Sequence, residues 1–534
     1  MTTDDSTTPS SMLTPASVEP PRPRRRLLAI AAVAAVALVV SAGTVYVVQG
    51  QSSSAFDAVK VAELVPDDTH LFVALNMDLA SDPWLAVPRL LEAMDIEQEV
   101  RDDIREAVTG SGMDYDTDFA STIASVRRAG VAVHYASSEH IEAVVVIESD
   151  DRDGITDLFF LDTDPGLRSQ VRDETLGLDF EVYEGDETVA DAFAVTARDG
   201  VVYLGDTVES VTSFLQRADA RPALSESVAF RAAVDDVKDD ALLVGFGSGS
   251  ILDHPDFQDF VDAMDDSAEV DPRDATFAFS VTASEAGWGG RMVLAIESGL
   301  GTFGENVDLA ADIDGAAALT PDDALVFVAS AGFGEGMRDA IEELRVSSPE
   351  ILDSFVTPFE DMTGISLDRD IVPLLGSTVA FALGADDLDA EAFDDASPWV
   401  LVLMESSDPD ALGGDLRTII GAFEDDCLCD TGVEARAAGD YAAIEWGGQR
   451  SSAPLSESVS FETLRALLPA SSSMLMFVNA AAIPDEIIED AQREMSTDPE
   501  SYDVDLSSFL GIGLAMEGSE EALTIAFVLP VGSE

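Results

Sequence analysis

Leu224-Ser225-Glu226-Ser227-Val228-Ala229-Phe230 recurs later in the chain as Leu455-Ser456-Glu457-Ser458-Val459-Ser460-Phe461. After each heptad come a helix-like stretch and an apolar, strand-like run. These runs are Ala241-Leu242-Leu243-Val244-Gly245-Phe246 and Met474-Leu475-Met476-Phe477-Val478. A repeat at domain-sized spacing points to two copies of one structural unit.

Further matches fall outward from the heptads in the same order. Val65-Pro66-Asp67-Asp68-Thr69-His70 leads into Leu71-Phe72-Val73-Ala74-Leu75, and Thr320-Pro321-Asp322-Asp323-Ala324 leads into Leu325-Val326-Phe327-Val328-Ala329. Pro and Asp favour a turn, and the apolar run after them reads as a strand. A helix candidate comes next in each copy, Trp84 to Ala107 and Gly336 to Leu344. Gly-led strands then match, Gly130-Val131-Ala132-Val133 with Gly376 to Phe381. Strands with an acidic exit match as well, Ala143 to Ser149 with Val400 to Ser406. Both copies end in a strand pair, near Thr276 to Ile296 and near Phe509 to Leu529. The equivalent core positions are Phe72 with Phe327, Val146 with Leu403, Phe230 with Phe461 and Phe246 with Phe477.

Adjacent strands joined by short turns indicate antiparallel pairing. Ala192 to Val195 and Val201 to Leu204, around Arg198-Asp199-Gly200, read as a hairpin. The expected fold is therefore α+β, a tandemly duplicated and mostly antiparallel ectodomain behind one N-terminal transmembrane helix. The predicted organisation is a disordered cytoplasmic tail over 1–26, a transmembrane helix over 27–48 and a linker over 49–58. Copy one covers 59–300, a second linker 301–315 and copy two 316–534.

The membrane reading rests on Leu27 to Val48, a run without a charge. As a helix it spans about 33 Å, close to a bilayer core of about 30 Å. Arg22, Arg24, Arg25 and Arg26 precede it, which places the N-terminus in the cytoplasm and the C-terminal domain outside the cell membrane. Val40-Ser41-Ala42 offers a signal-peptide cleavage site, but the apolar run continues through Tyr46-Val47-Val48 and the leading tail is long and Pro-rich. Either reading exports the ectodomain.

The 104 acidic residues against 28 basic ones give a net charge of -76. Such a surface repels phosphates, which sets nucleic acid aside as a partner. Lys60 and Lys238 are the sole lysines; the excess of acid reads either as adaptation to a saline habitat or as a lineage bias. Cys427 and Cys429 are the sole cysteines, too few for a disulfide scaffold or a structural zinc site. They read as an incidental pair or as a local disulfide.

The Pro-Asp-Asp-plus-strand opening, the Leu-Ser-Glu-Ser-x-x-Phe heptad and the single membrane helix resemble a bacterial family catalogued as domain of unknown function 3352. The resemblance covers most of the ectodomain. It implies an exported, duplicated protein, and it supplies no activity and no site.

No constellation of catalytic or cofactor-binding residues stands out. His70, His134, His140 and His254 form no metal-binding spacing, and Gly247-Ser248-Gly249-Ser250 lacks the nucleophile-elbow pattern. Gly332-Phe333-Gly334-Glu335-Gly336 sits where a phosphate loop would, but has no Lys and carries Glu335. Ser149-Asp150-Asp151-Arg152-Asp153-Gly154 resembles half an EF-hand loop, with Phe160 where a bidentate Glu belongs. Asp114, Asp116 and Asp118 form another acidic cluster. These leave a metal site undefined and allow loosely bound cations. Trp84, Trp288, Trp399 and Trp446 are too scattered to form a stacking groove.

The expected function is non-enzymatic: a membrane-anchored extracytoplasmic protein that binds or organises another envelope protein or polymer. The alternatives are a carrier or sensor of an apolar ligand held between sheet and helices, and a carboxylate-based hydrolase of envelope polymers.

Overall fold

The computed structural model describes residues 56–94, 96–110, 114–137, 140–159, 168–183, 193–235, 237, 240–253, 273, 275–296, 311–386, 397–427, 431–448, 450–483, 509–518 and 522–531. The expected tail and membrane segment, 1–48, lie outside them. Among the described residues no helix is long and apolar enough to cross a membrane.

The fold is α+β, and its strands join in one large sheet whose pairings are all antiparallel. From one edge the first half runs β4 (Arg168–Asp173), β5 (Leu178–Tyr183), β6 (Phe193–Arg198), β7 (Val201–Gly205), β3 (His140–Ser149), β2 (Val126–Ser137), β1 (Leu71–Leu75), β8 (Leu243–Ser248), β9 (Ala275–Ser284) and β10 (Gly287–Ile296). Strand β10 then pairs with β18 (Ala522–Pro530). The second half continues through β17 (Ile512–Gly518), β16 (Met474–Val478), β11 (Ala324–Ser330), β12 (Leu375–Asp386), β13 (Ser397–Ser406), β15 (Tyr441–Gly447) and β14 (Val433–Ala438). Counted inward from β6 and from β14, the strands of the two halves occupy the same places. The hairpin β4–β5 has no counterpart among the described strands of the second half.

Along β1 and β11 the registers agree, but the expected match of Gly130 with Gly376 is corrected: Gly130, opposite Ala74 and Val146, stands where Ala380, opposite Ala329 and Leu403, stands. Val73 lies between Val131 and Gly245, and Val328 lies between Phe381 and Met476. Phe72 faces Phe246 across β1 and β8, as Phe327 faces Phe477 across β11 and β16. The halves meet with Arg291 opposite Ala526, so β10 and β18 approach each other through equivalent edges.

One packing unit builds each core. The Phe230 ring meets Phe72 and Phe246 edge-on at 5.8 and 5.3 Å between centroids. Phe461 meets Phe327 and Phe477 at 5.9 and 5.6 Å. All six rings are buried, and edge-to-face pairs contribute about 0.5–1.5 kcal/mol each beyond area burial. The heptad explains why these rings are in place. Leu224–Glu226 and Leu455–Glu457 form short 3-10 turns with Leu224 and Leu455 buried. Ser227 Oγ and Ser458 Oγ then accept the backbone N–H of Phe230 and Phe461, at 3.3 and 3.2 Å. Each serine thereby caps the helix that carries the Phe, Val228–Asp235 or Val459–Leu467.

Other caps also occur in pairs. Asp57 caps the helix Ala58–Ala62 and Asp312 the helix Ile313–Leu319. The latter helix begins inside the stretch 301–315 expected as a linker. A single wide turn precedes β2 and β12 alike, Tyr115–Phe119 and Leu367–Ile371. The hairpin between β6 and β7 turns at Asp199 and Gly200, with φ of 55° and 80°; two successive positive φ values match the right-handed twist of its strands.

Two helix expectations need correction. The candidate Trp84 to Ala107 is two helices, Asp82–Ala93 and Glu97–Gly110, because Met94 leaves helical geometry at ψ 1°. The candidate Gly336 to Leu344 extends over Phe333–Ser347, and a second helix, Pro349–Thr363, follows it. Pro349 pushes Ser348 out of the helical region, to φ -147° and ψ 58°.

Candidate functional site

Most of the polar clusters noted in the sequence serve local structure. Asp151 caps the helix Arg152–Phe159: its Oδ1 accepts Gly154 N–H at 3.0 Å, and its Oδ2 accepts Thr122 Oγ1 at 3.0 Å. Within the stretch Ser149 to Gly154, which resembles half an EF-hand loop, Asp151 is thus engaged in a cap; Phe160 lies outside the described residues. Asp408 repeats the cap in the second half by accepting Ala411 N–H at 3.1 Å. Asp114 and Asp118 tie the ends of the wide turn Tyr115–Phe119, as Asp370 ties Leu367–Ile371 through Ser366 N–H. Arg369 and the Ser366 N–H hold the Asp370 carboxyl down at about 2. Among the described residues no group of three or more His, Cys, Asp or Glu gathers to hold a metal.

Gly332 adopts φ +78° and Gly334 lies against the carbonyls of Leu375 and Gly376, so this loop is a close strand-to-helix junction. Cys427 ends the helix Pro409–Cys427 and is disulfide-bonded; Cys429 lies outside the described residues. Trp84 and Trp399 are buried and Trp446 is exposed on β15.

Three features remain that can meet a ligand or partner. The first is a polar pocket of about 320 Å³ in the first half, where the turn Asp67 to His70, β2, β8 and the start of the helix Val228–Asp235 converge. The antiparallel β1–β2 register brings His70 and His134 together, with ring centroids 4.8 Å apart. His134 Nδ1 lies 2.8 Å from the Asp68 carbonyl and so carries the proton, which leaves Nε2 as an acceptor. His70 Nδ1 accepts Tyr135 N–H at 3.2 Å, which puts its proton on Nε2. Arg221 pairs with Asp68 at 3.0 Å and with Asp67 at 3.6 Å. Behind them Arg217 bridges Asp68, at 3.4 Å, and the buried Glu142. Both acids of the pocket are therefore already ion-paired, which argues against a free carboxylate pair for hydrolysis. Sequence reading separated these residues because cross-strand register, not spacing, unites them.

The second feature is a cleft of about 520 Å³ where the halves join, lined by Trp288, Leu467, Leu468 and Phe527 as well as Ser280, Thr282 and Arg291. The third is an uncharged row across the sheet. Val402, Phe381, Val328, Met476, Leu514 and Phe527 pair directly from strand to strand and so share one face. Phe381 is 40% exposed, Met476 38% and Phe527 39%, and Ile512 beside them is 53% exposed.

No family model matches the chain, and no curated protein matches it. Among solved structures it is similar to crystal form III of TP0453, with a TM-score of 0.25 and 10% identity, covering 46% of this chain and 80% of that one. It is similar at the same TM-score to crystal form I of TP0453, with 9% identity, covering 47% of this chain and 82% of that one. A likeness at this level carries no argument.

Proposed function

We propose that the chain is a non-enzymatic, single-pass membrane protein whose extracytoplasmic part is a tandem duplication of one α+β module and binds another envelope component through the open sheet face. The observation that carries the binding reading is the uncharged row with Phe381, Met476 and Phe527 at its surface. On a chain of net charge -76, the exposed Phe381, Met476, Ile512 and Phe527 mark a contact surface, beside the Val402 end of the row, which packs with Leu412 and Leu416 of the helix Pro409–Cys427. The anchor reading rests on Leu27 to Val48 and its preceding arginines. The duplication reading is supported by the matching registers, caps and phenylalanine triads.

The test is photo-crosslinking in intact cells from position 476, with position 462 on the opposite, helix-covered side as control. One discrete envelope protein or glycan polymer captured from 476 and absent from 462 supports the proposal. Adducts to lipid alone, or equal capture from both positions, would sink it. A second reading, a carrier of an apolar ligand, is favoured by the Leu467, Leu468, Ala526 and Val528 lining of the cleft, with Trp288 at its border. It predicts that a fatty-acid probe quenches Trp288 fluorescence.

A further inference from the structure

We infer that the polar pocket of the first half binds a neutral, hydroxyl-rich ligand of sugar size, independently of the open sheet face.

Its volume, about 320 Å³, sits at the small end of ligand pockets. Its wall offers donors and acceptors side by side. His134 Nε2 is an acceptor, because Nδ1 donates to the Asp68 carbonyl. Ser248 and Ser250 present hydroxyls 2.8 Å apart. Thr69 lines the pocket, is 3% exposed, and its Oγ1 has no hydrogen-bond partner. Such a hydroxyl costs free energy unless something bonds it. Asp67 Oδ1 and Asp68 Oδ1 are likewise buried and lack hydrogen bonds, since their contacts to Arg221 and Arg217 are ion pairs at 3.6 and 3.4 Å. The buried Phe246 supplies apolar lining.

Charge narrows the class. The carboxylates of Asp67 and Asp68 are balanced by Arg221 and Arg217, so the wall offers no surplus charge to an ion, and a bare divalent cation lacks a set of three ligands among the described residues. A hydroxyl group donates and accepts at once, so a ring bearing several of them answers this mixed wall without a charge.

The second half supplies an internal control. Ser248 N–H bonds the His70 carbonyl as Asn479 N–H bonds that of Leu325, both at 2.9 Å. Asn479 closes its own position, donating to the Asp322 carbonyl at 3.1 Å and accepting from Ser460 at 3.2 Å. The place that Ser248 holds in the pocket wall is thus taken in the second half by a side chain already bonded to its own neighbours.

The full-length chain in detergent micelles is titrated with glucose, galactose and mannose, with their methyl glycosides, and with glucuronate and glucosamine as charged counterparts. Binding is read by saturation-transfer NMR. The methyl glycosides separate a free sugar from a glycan end. The expected result is millimolar binding of a neutral hexose or its glycoside. Thr69→Val and Ser248→Ala should each weaken it by roughly tenfold, the loss of about one hydrogen bond. Asn479→Ala should leave it unchanged. The proposal is overturned if no neutral sugar binds, if a charged counterpart binds more tightly, or if folded Thr69→Val and Ser248→Ala chains bind as the parent does.

Discussion

The two halves fill the same space in different ways. In the first half, His134 on β2 faces Glu142 on β3, and Glu142 is buried against Arg217. In the second half, the pair at the same place in the sheet is Gly384 and Trp399, with Trp399 fully buried. A side chain at Gly384 would collide with the Trp399 ring, at 2.3 Å from a Cβ. An ionic network and an indole are thus alternative fillings of one frame. The phenylalanine triads, by contrast, are the same in both halves. What the sheet and its capping helices must pack is kept; what lies near the strand ends is free to become polar, and there the pocket forms.

The strongest way to break that comparison is to truncate the shared ring. Phe230→Ala and Phe461→Ala should each cost about 3–5 kcal/mol, and by similar amounts, because each ring bridges two others in the same geometry. Urea unfolding measures this; one loss below about 1 kcal/mol beside a full loss in the other half would separate the two cores. Arg217→Met should cost a similar ~3–5 kcal/mol, because it removes the guanidinium that pairs with the buried Glu142, while Asp68 keeps Arg221. The double change Glu142→Leu with Arg217→Met should recover most of that loss, since apolar replacement of a whole buried ion group is often neutral. A single Arg217→Met variant as stable as the parent would show that the network is solvated.

The frame was legible in the sequence because the repeated heptad couples a cap to a core ring. Ser227 and Ser458 read as polar, Phe230 and Phe461 as apolar, and their fixed spacing carries the whole helix start. The Asp199-Gly200 turn was legible because few other residue pairs accept two positive φ values. The helix break at Met94 was not, since nothing in Leu91-Glu92-Ala93-Met94 forbids a helix; packing of the following helix decides it. Nor was the pocket legible. His70 and His134 become neighbours only through the β1–β2 register, and Arg217 reaches Glu142 from a helix that has no counterpart in the second half, where Gly447 leads to the heptad through a short connection. Equivalence of apolar positions survives in a single sequence, whereas a polar site drawn from several strands does not announce itself.

A smaller effect sharpens the local part of the comparison. Ser227→Ala and Ser458→Ala each remove one cap hydrogen bond and should cost about 1 kcal/mol. Thermal unfolding of the two variants should shift alike; a shift confined to one would mean that the heptad does its work by burial of Leu224 or Leu455 rather than by the cap.

The smallest predicted effect concerns acid, and it belongs to the second half. Glu445 on β15 is 8% exposed. Burial works against its charge, yet Arg450, at 2.6 Å, and Arg436 hold its carboxyl below the ordinary value of 4.5. The corresponding strand position in the first half is Gly205, opposite Val144 as Glu445 is opposite Leu401, so no carboxylate stands there. A group whose folded pKa is depressed binds fewer protons in the folded chain than in the unfolded one. Its contribution is therefore present above the unfolded value, near 4.5, and is lost as pH falls through the lower folded value. Glu445→Gln should lower the melting temperature at pH 7, and the difference from the parent should shrink as pH falls below the ordinary carboxylate value, flattening the acid-side slope. If the first half is spared, a variant carrying a fluorescent label there should keep the parent's acid response. A Glu445→Gln chain with the parent's full pH dependence would place the acid sensitivity elsewhere and remove Glu445 from the comparison.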